Sequence, residues 1–90
     1  VGRMPRRHVV ISAHNGVHAR PVAELVRLVQ AHPHVVTLRT SSGAVVDLSS
    51  VLALMDLALA PGDAVVLETA ESADAESVLD TLAGVLDPRA

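Results

Sequence analysis

The sequence predicts an α+β fold, a four-stranded antiparallel sheet with three helices packed on one face. Three observations lead there. Strand-like and helical apolar patterns follow one another in the order β-α-β-β-α-β-α. Turn residues separate them at Asn15-Gly16, Ser41-Ser42-Gly43 and Pro61-Gly62-Asp63. Half of the ninety residues are hydrophobic while Phe, Trp and Tyr are absent, so the core is aliphatic. That length makes one domain, 1–90, in which residues 1–5 read as a tag remnant or a flexible start.

The elements are justified in order. Val9-Val10-Ile11 form a first strand, extended back to Arg7 and on to Ala13. From Ala19 to about His32 the pattern is helical, with Val22, Leu25, Val26 and Val29 at i, i+3, i+4 and i+7 on one face. Pro21 sits in the first turn, where a missing N–H does no harm, and Pro33 ends the helix. Val35 to Thr40 and Ala44 to Leu48 form a hairpin, with Gly43 free to take positive φ in its turn. Ser49-Ser50 offers an N-cap for a short helix from Val51 to about Leu57. Ala64 to Thr69 is the fourth strand. Ser72 is placed to cap the last helix, whose acid-rich first turn holds Asp74 and Glu76. Val78, Leu79, Leu82, Val85 and Leu86 give that helix its buried side. The element order alone leaves a ferredoxin-like ligand-sensing module open.

Composition removes several function classes. The net charge is −3, and there is no aromatic ring on which a base could stack, so a nucleic-acid module is disfavoured. No cysteine is present, which excludes disulfides and thiolate metal sites and fits a cytoplasmic location. No apolar run reaches membrane-spanning length. All seven basic residues are arginine, a bias of composition rather than of function. Isolated turn glycines make no phosphate-cradling loop, so nucleotide binding of that kind is excluded. His32-Pro33-His34 lacks helical metal-ligand spacing and a nearby carboxylate, and reads as a helix-ending turn with solvated histidines. His8 beside Arg6 and Arg7 reads as a basic strand entry, and His14 as a loop histidine. Glu71, Asp74, Glu76 and Asp80 read as a solvated acidic face.

Asn15-Gly16-Val17-His18-Ala19-Arg20-Pro21 carries the chemistry. A lone histidine in a helix-entry turn is ordinarily a solvated side chain. Here the residues around it change the weighting. With His18 as N-cap, the N–H groups of Ala19 and Arg20 lack intrahelical acceptors and the helix dipole adds positive potential. Gly16 lets the backbone bend, and Arg20 supplies a guanidinium fork for phosphate oxygens. The same field discourages an imidazolium and leaves one ring nitrogen free as a nucleophile. The site is suited to accept and release a phosphoryl group.

Gly16-Val17-His18-Ala19-Arg20-Pro21 resembles the active-site motif G-[LIV]-H-[AT]-R-P of the HPr phosphocarriers of the bacterial phosphotransferase system. A second segment, Val46-Asp47-Leu48-Ser49-Ser50-Val51-Leu52-Ala53-Leu54-Met55, resembles that family's entry to its second helix. The resemblance runs from about Arg7 to Leu86 and implies an open-faced β-sandwich with sheet order 1-4-2-3. It implies His18 as phosphoryl acceptor on Nδ1, Arg20 as the group steadying the phosphate, and Ser50 as a seryl regulatory site. It places Val51, Leu52 and Met55 in an apolar docking patch, Arg27 on the partner-facing side of the first helix, and Asn15 and Gly16 at the partner contact. The implied partners are enzyme I, IIA components and an HPr kinase/phosphorylase. The implied carrier is a monomer, holds no cofactor or metal, and is no standalone catalyst. Ser49, Ala53 and Gln30 stand where many members have lysine or glycine, so the basic rim is thin and partner steering weak. Two further readings keep the same fold: a carrier domain excised from a multiphosphoryl transfer protein such as a dihydroxyacetone-kinase phosphotransfer subunit, and a regulatory binding module acting through Ser50.

Overall fold

The computed structural model describes residues 4–12 and 19–88, the first three residues of the second segment by their backbone only. Within these residues the elements are β1 (Arg6–Val10), α1 (Ala19–Gln30), β2 (Val36–Thr40), β3 (Val45–Asp47), α2 (Val51–Asp56), β4 (Ala64–Thr69) and α3 (Ala75–Leu86). The strands form one sheet ordered β1-β4-β2-β3, every neighbouring pair antiparallel. A ferredoxin-like module predicts a different order, and that alternative is removed.

Side-chain alternation explains why one face is covered. Val9, Val65, Leu67, Val36 and Leu38 are buried, while His8, Val10 and Arg39 on the alternate positions are exposed. Leu38 stands opposite Leu67, so the central pair of strands meets in the core. Against that face lie Val22, Leu25, Val26 and Val29 of α1, Leu54 of α2, and Leu79, Leu82 and Leu86 of α3. Each fully buried aliphatic chain stabilises the fold by about 1.5–3 kcal/mol. The β2–β3 hairpin closes where Gly43 takes φ +94° and donates to the Thr40 carbonyl at 3.0 Å.

Several expectations are corrected. α1 ends at Gln30, and β1 starts one residue earlier than expected and stops at Val10. Ile11 nevertheless stays tied beyond the strand, donating to the Asp63 carbonyl at 2.9 Å and accepting from Gly62 at 2.7 Å. Asp74, not Ser72, is the N-cap of α3; the Ser72 hydroxyl bonds the Asp74 carboxylate at 3.0 Å instead. Ala75 joins the core, while Val78 and Val85 are only partly buried. The acidic face of α3 is not wholly solvated, because Arg7 reaches across from β1 to bond both Glu76, at 2.9 Å, and Asp80.

The largest correction concerns His32. It was expected in solvent; its side chain is 1% exposed. The reason is helical phase. Leu25, Val29 and His32 are spaced i, i+4 and i+7, so the turn after α1 keeps the ring on the buried stripe, with the His32 N–H bonded to the Val29 carbonyl at 3.0 Å. Both ring nitrogens are buried without a hydrogen-bond partner. A buried polar atom left so costs roughly 1–3 kcal/mol. Buried Thr69 shows the usual solution, its hydroxyl donating to the Val35 carbonyl at 2.9 Å.

Candidate functional site

Two segments of the chain carry the residues singled out by chemistry. The chain leaves β1 through Ser12, whose N–H bonds the Leu86 carbonyl at 3.0 Å and whose hydroxyl bonds the Asp87 carboxylate. It re-enters described structure at Ala19, the first residue of α1, and Val22 is fully buried one turn later. Asn15, Gly16, His18 and His14 lie outside the described residues. Arg20 is the second residue of α1, described by its backbone alone. The first turn of any helix presents N–H groups with no intrahelical acceptor, and Pro21 removes its own. Arg27 lies two turns further on, exposed, and bonds Glu24 at 2.7 and 3.1 Å, which holds the Glu24 carboxyl below its ordinary range.

The second segment is the entry to α2. Leu48 is fully buried and its N–H bonds the Val36 carbonyl at 2.9 Å. Asp47 Oδ1 accepts from the Ser49 N–H at 2.8 Å and from its hydroxyl at 2.7 Å, turning the chain. Ser50 is the N-cap, accepting from the Ala53 N–H at 3.2 Å. Leu54 points into the core, and the opposite side of this short helix leaves Val51, Leu52 and Met55 in solvent, Leu52 at 80%. The three make an exposed apolar cluster on a helix whose other face is buried. α1 and α2 pack on each other, which brings Arg27's helix and the Leu52 patch to one side of the molecule.

The cap is testable. Ser50→Ala is expected to cost about 1 kcal/mol, seen as a lower urea midpoint with an unchanged slope. The Asp47 turn carries a pH dependence. The Ser49 backbone N–H, and after it the Ser49 hydroxyl, holds the Asp47 carboxyl below the usual aspartate range. The resulting stabilisation is fully present above the unfolded value, about 3.9. It is lost as pH falls through the lower folded value. Wild type is therefore expected to be more stable than Asp47→Asn near neutrality, and the gap to close in acid. Denaturant titrations of both proteins across that range check it.

Sequence reasoning found Ser50 as an N-cap but not the Asp47 turn before it. It missed the Arg7 bonds to α3 and the burial of His32. The second was readable, since His32 continues the apolar phase of α1. Among the described residues no helix is long and apolar enough to cross a membrane.

Comparison with known proteins agrees with this arrangement. Residues 5–87 match the family profile described as "PTS HPr component phosphorylation site". Phosphocarrier protein HPr of Vibrio cholerae is 32% identical over 84 residues, covering 93% of this chain and 96% of the relative. Phosphocarrier protein NPr of Klebsiella oxytoca is 33% identical over 78 residues, 87% of either chain. The crystal structure of a phosphocarrier protein HPr from Bacillus anthracis superposes with a TM-score of 0.83 at 30% identity, covering 93% of this chain and 98% of that one. With a sheet ordered 1-4-2-3 under three helices, and sequence similarity running from Pro5 to Asp87, the chain belongs to the HPr family of phosphotransferase-system phosphocarriers.

Proposed function

We propose that His18 takes a phosphoryl group from the phosphohistidine of enzyme I and hands it to a histidine on a IIA component, in the cytoplasm and as a monomer. The observation that carries this reading is the start of α1 at Ala19, directly behind His18 in sequence, with Arg20 in the first turn. In the forward step a ring nitrogen of His18, Nδ1 by family resemblance, forms a bond to phosphorus as the donor's N–P bond breaks. The donor imidazole departs with the electron pair of that bond. The second step repeats the exchange toward the acceptor. In between, the charge of the transferring group is spread over its three equatorial oxygens, and the helix N–H groups with the Arg20 fork would stabilise it. Holding both imidazoles in line is the remaining contribution, which the docked pair supplies together.

Docking falls to Val51, Leu52 and Met55, and by family resemblance also to Asn15, Gly16 and Arg27. Arg27 is already paired with Glu24, and Ser49, Ala53 and Gln30 add no charge. The partner contact therefore rests on apolar burial more than on steering. Phosphorylation of Ser50 by an HPr kinase/phosphorylase would put nearly two negative charges at the edge of this patch, close in sequence to Asp47. The N-terminus of α2 would tolerate them; an acidic partner surface would not. The test is incubation with phosphoenolpyruvate and enzyme I followed by intact mass spectrometry. A gain of one phosphoryl group, labile in acid, is expected. No gain would refute the reading.

A further inference from the structure

The edge of the sheet farthest from α2 carries backbone groups that no described residue uses. β1 and β3 are the two edge strands, and α2 packs beside β3. β1 pairs with β4 alone, with Arg6 opposite Glu68, His8 opposite Val66 and Val10 opposite Ala64. The Pro5 carbonyl accepts from the Thr69 N–H at 3.1 Å, and Ile11 donates to the Asp63 carbonyl at 2.9 Å. Hydrogen-bonded and non-bonded pairs alternate along an antiparallel ladder, so Arg7 and Val9 are the residues that bond β4 between those two. Arg6, His8 and Val10 then direct their N–H and C=O groups to the outer edge. Ser12, next in that outward series, donates to the Leu86 carbonyl at 3.0 Å, which fits this direction and closes the edge at that end. Among the described residues no strand lies on the outer side of β1. The side chains of the same three residues are exposed on the uncovered face of the sheet. Arg6 bonds Glu68 at 2.7 Å and is still 60% exposed, which leaves donors of its planar fork in solvent.

We propose that the β1 edge takes an extended acidic segment of a partner protein as a fifth, antiparallel strand, with carboxylates opposite Arg6 and His8 and an apolar side chain opposite Val10. Residues directly opposite one another share a face of the sheet. A segment reading apolar, any, acidic, any, acidic from its N-terminus therefore sets its three specifying side chains on the open side. There the Arg6 fork and a ring N–H of His8 donate to the carboxylates. Five residues at roughly 3.4 Å each give a contact about 17 Å long. Main-chain bonds supply the affinity, and the alternate side chains supply the choice of partner. A second copy fits this edge less well, because it brings another Arg6-Arg7-His8 run against the first. The site lies across the sheet from β3 and α2, so its occupant leaves Val51, Leu52 and Met55 free. The proposal is independent of phosphoryl transfer at His18.

The test uses the full chain and an end-capped synthetic peptide, Val-Thr-Glu-Thr-Glu, read by 15N spectra and amide hydrogen exchange. In the free protein the Arg6, His8 and Val10 amides are expected to exchange roughly tenfold faster than those of Arg7 and Val9. Saturating peptide is expected to slow the first three roughly tenfold and to leave the α2 signals in place. The same peptide with both glutamates replaced by lysine is expected to bind far more weakly. His8→Pro removes one outward N–H, a change an edge strand tolerates on its solvent side, and is expected to abolish binding with the α1 and α2 signals unmoved. Arg6→Gln leaves the main chain intact and is expected to weaken binding roughly threefold, which keeps the proposal testable if the proline disrupts β1. No binding at millimolar peptide, undiminished binding of the lysine peptide, or slow exchange of the three amides in the free monomer overturns the proposal. So does a doubled mass in light scattering with the same three amides protected, which assigns the edge to a second copy.

Discussion

His18→Ala is expected to abolish phosphoryl acceptance altogether, because the proposed acceptor is the histidine that directly precedes α1 in the sequence. His14 and His8 are imidazoles too, but neither directly precedes a helix in the sequence. A methyl group cannot form the N–P bond, so the loss is of chemistry and not of fold. Intact mass spectrometry after enzyme I and phosphoenolpyruvate should show the unmodified mass only. Arg20→Ala provides the graded companion. It leaves the nucleophile and removes one donor from the developing charge, a change expected to slow transfer by roughly 10²-fold. Arg20→Lys should recover only part of that, since a point charge does not reproduce the planar fork. A His18→Ala protein that still gained a phosphoryl group would move the acceptor elsewhere.

Leu54→Ala is expected to produce the largest loss of stability among single changes near the partner surface, about 2–5 kcal/mol. α2 has only six residues, too few to hold a helix in water without tertiary support. Its support is Leu54, 1% exposed, together with the Ser50 cap. Leu52, two positions earlier and 80% exposed, makes the contrast. Leu52→Ala should leave the urea midpoint within about 0.5 kcal/mol of wild type while slowing transfer from enzyme I. The pair separates what the helix does for the fold from what it offers a partner. Equal stability losses in the two variants would show that the patch is part of the core and not a surface.

What could be read in advance depended on whether a feature was local. Val22, Leu25, Val26 and Val29 declare their face through spacing alone, and the structure buries all four. Gly43 and Ser50 act within a few residues of themselves, so turn and cap chemistry sufficed. Ser72 failed as a cap because Asp74 lay two residues nearer the helix and took the position, leaving the serine hydroxyl to bond the carboxylate. Arg7 bonds residues sixty-nine and seventy-three positions away, a pairing that only the packing of α3 beside β1 creates. His32 shows a different failure. The dipeptide with Pro33 suggested a solvated turn, and that local cue outweighed the helical phase that carries the ring inward.

The double tie from Ser12 to the last turn of α3 couples the two most distant parts of the sequence. A tag or fusion joined after Asp87 therefore pulls on the same latch that anchors the chain just beyond β1. Trimming the chain back past Leu86 would release Ser12 from both of its bonds without touching a single residue of the motif.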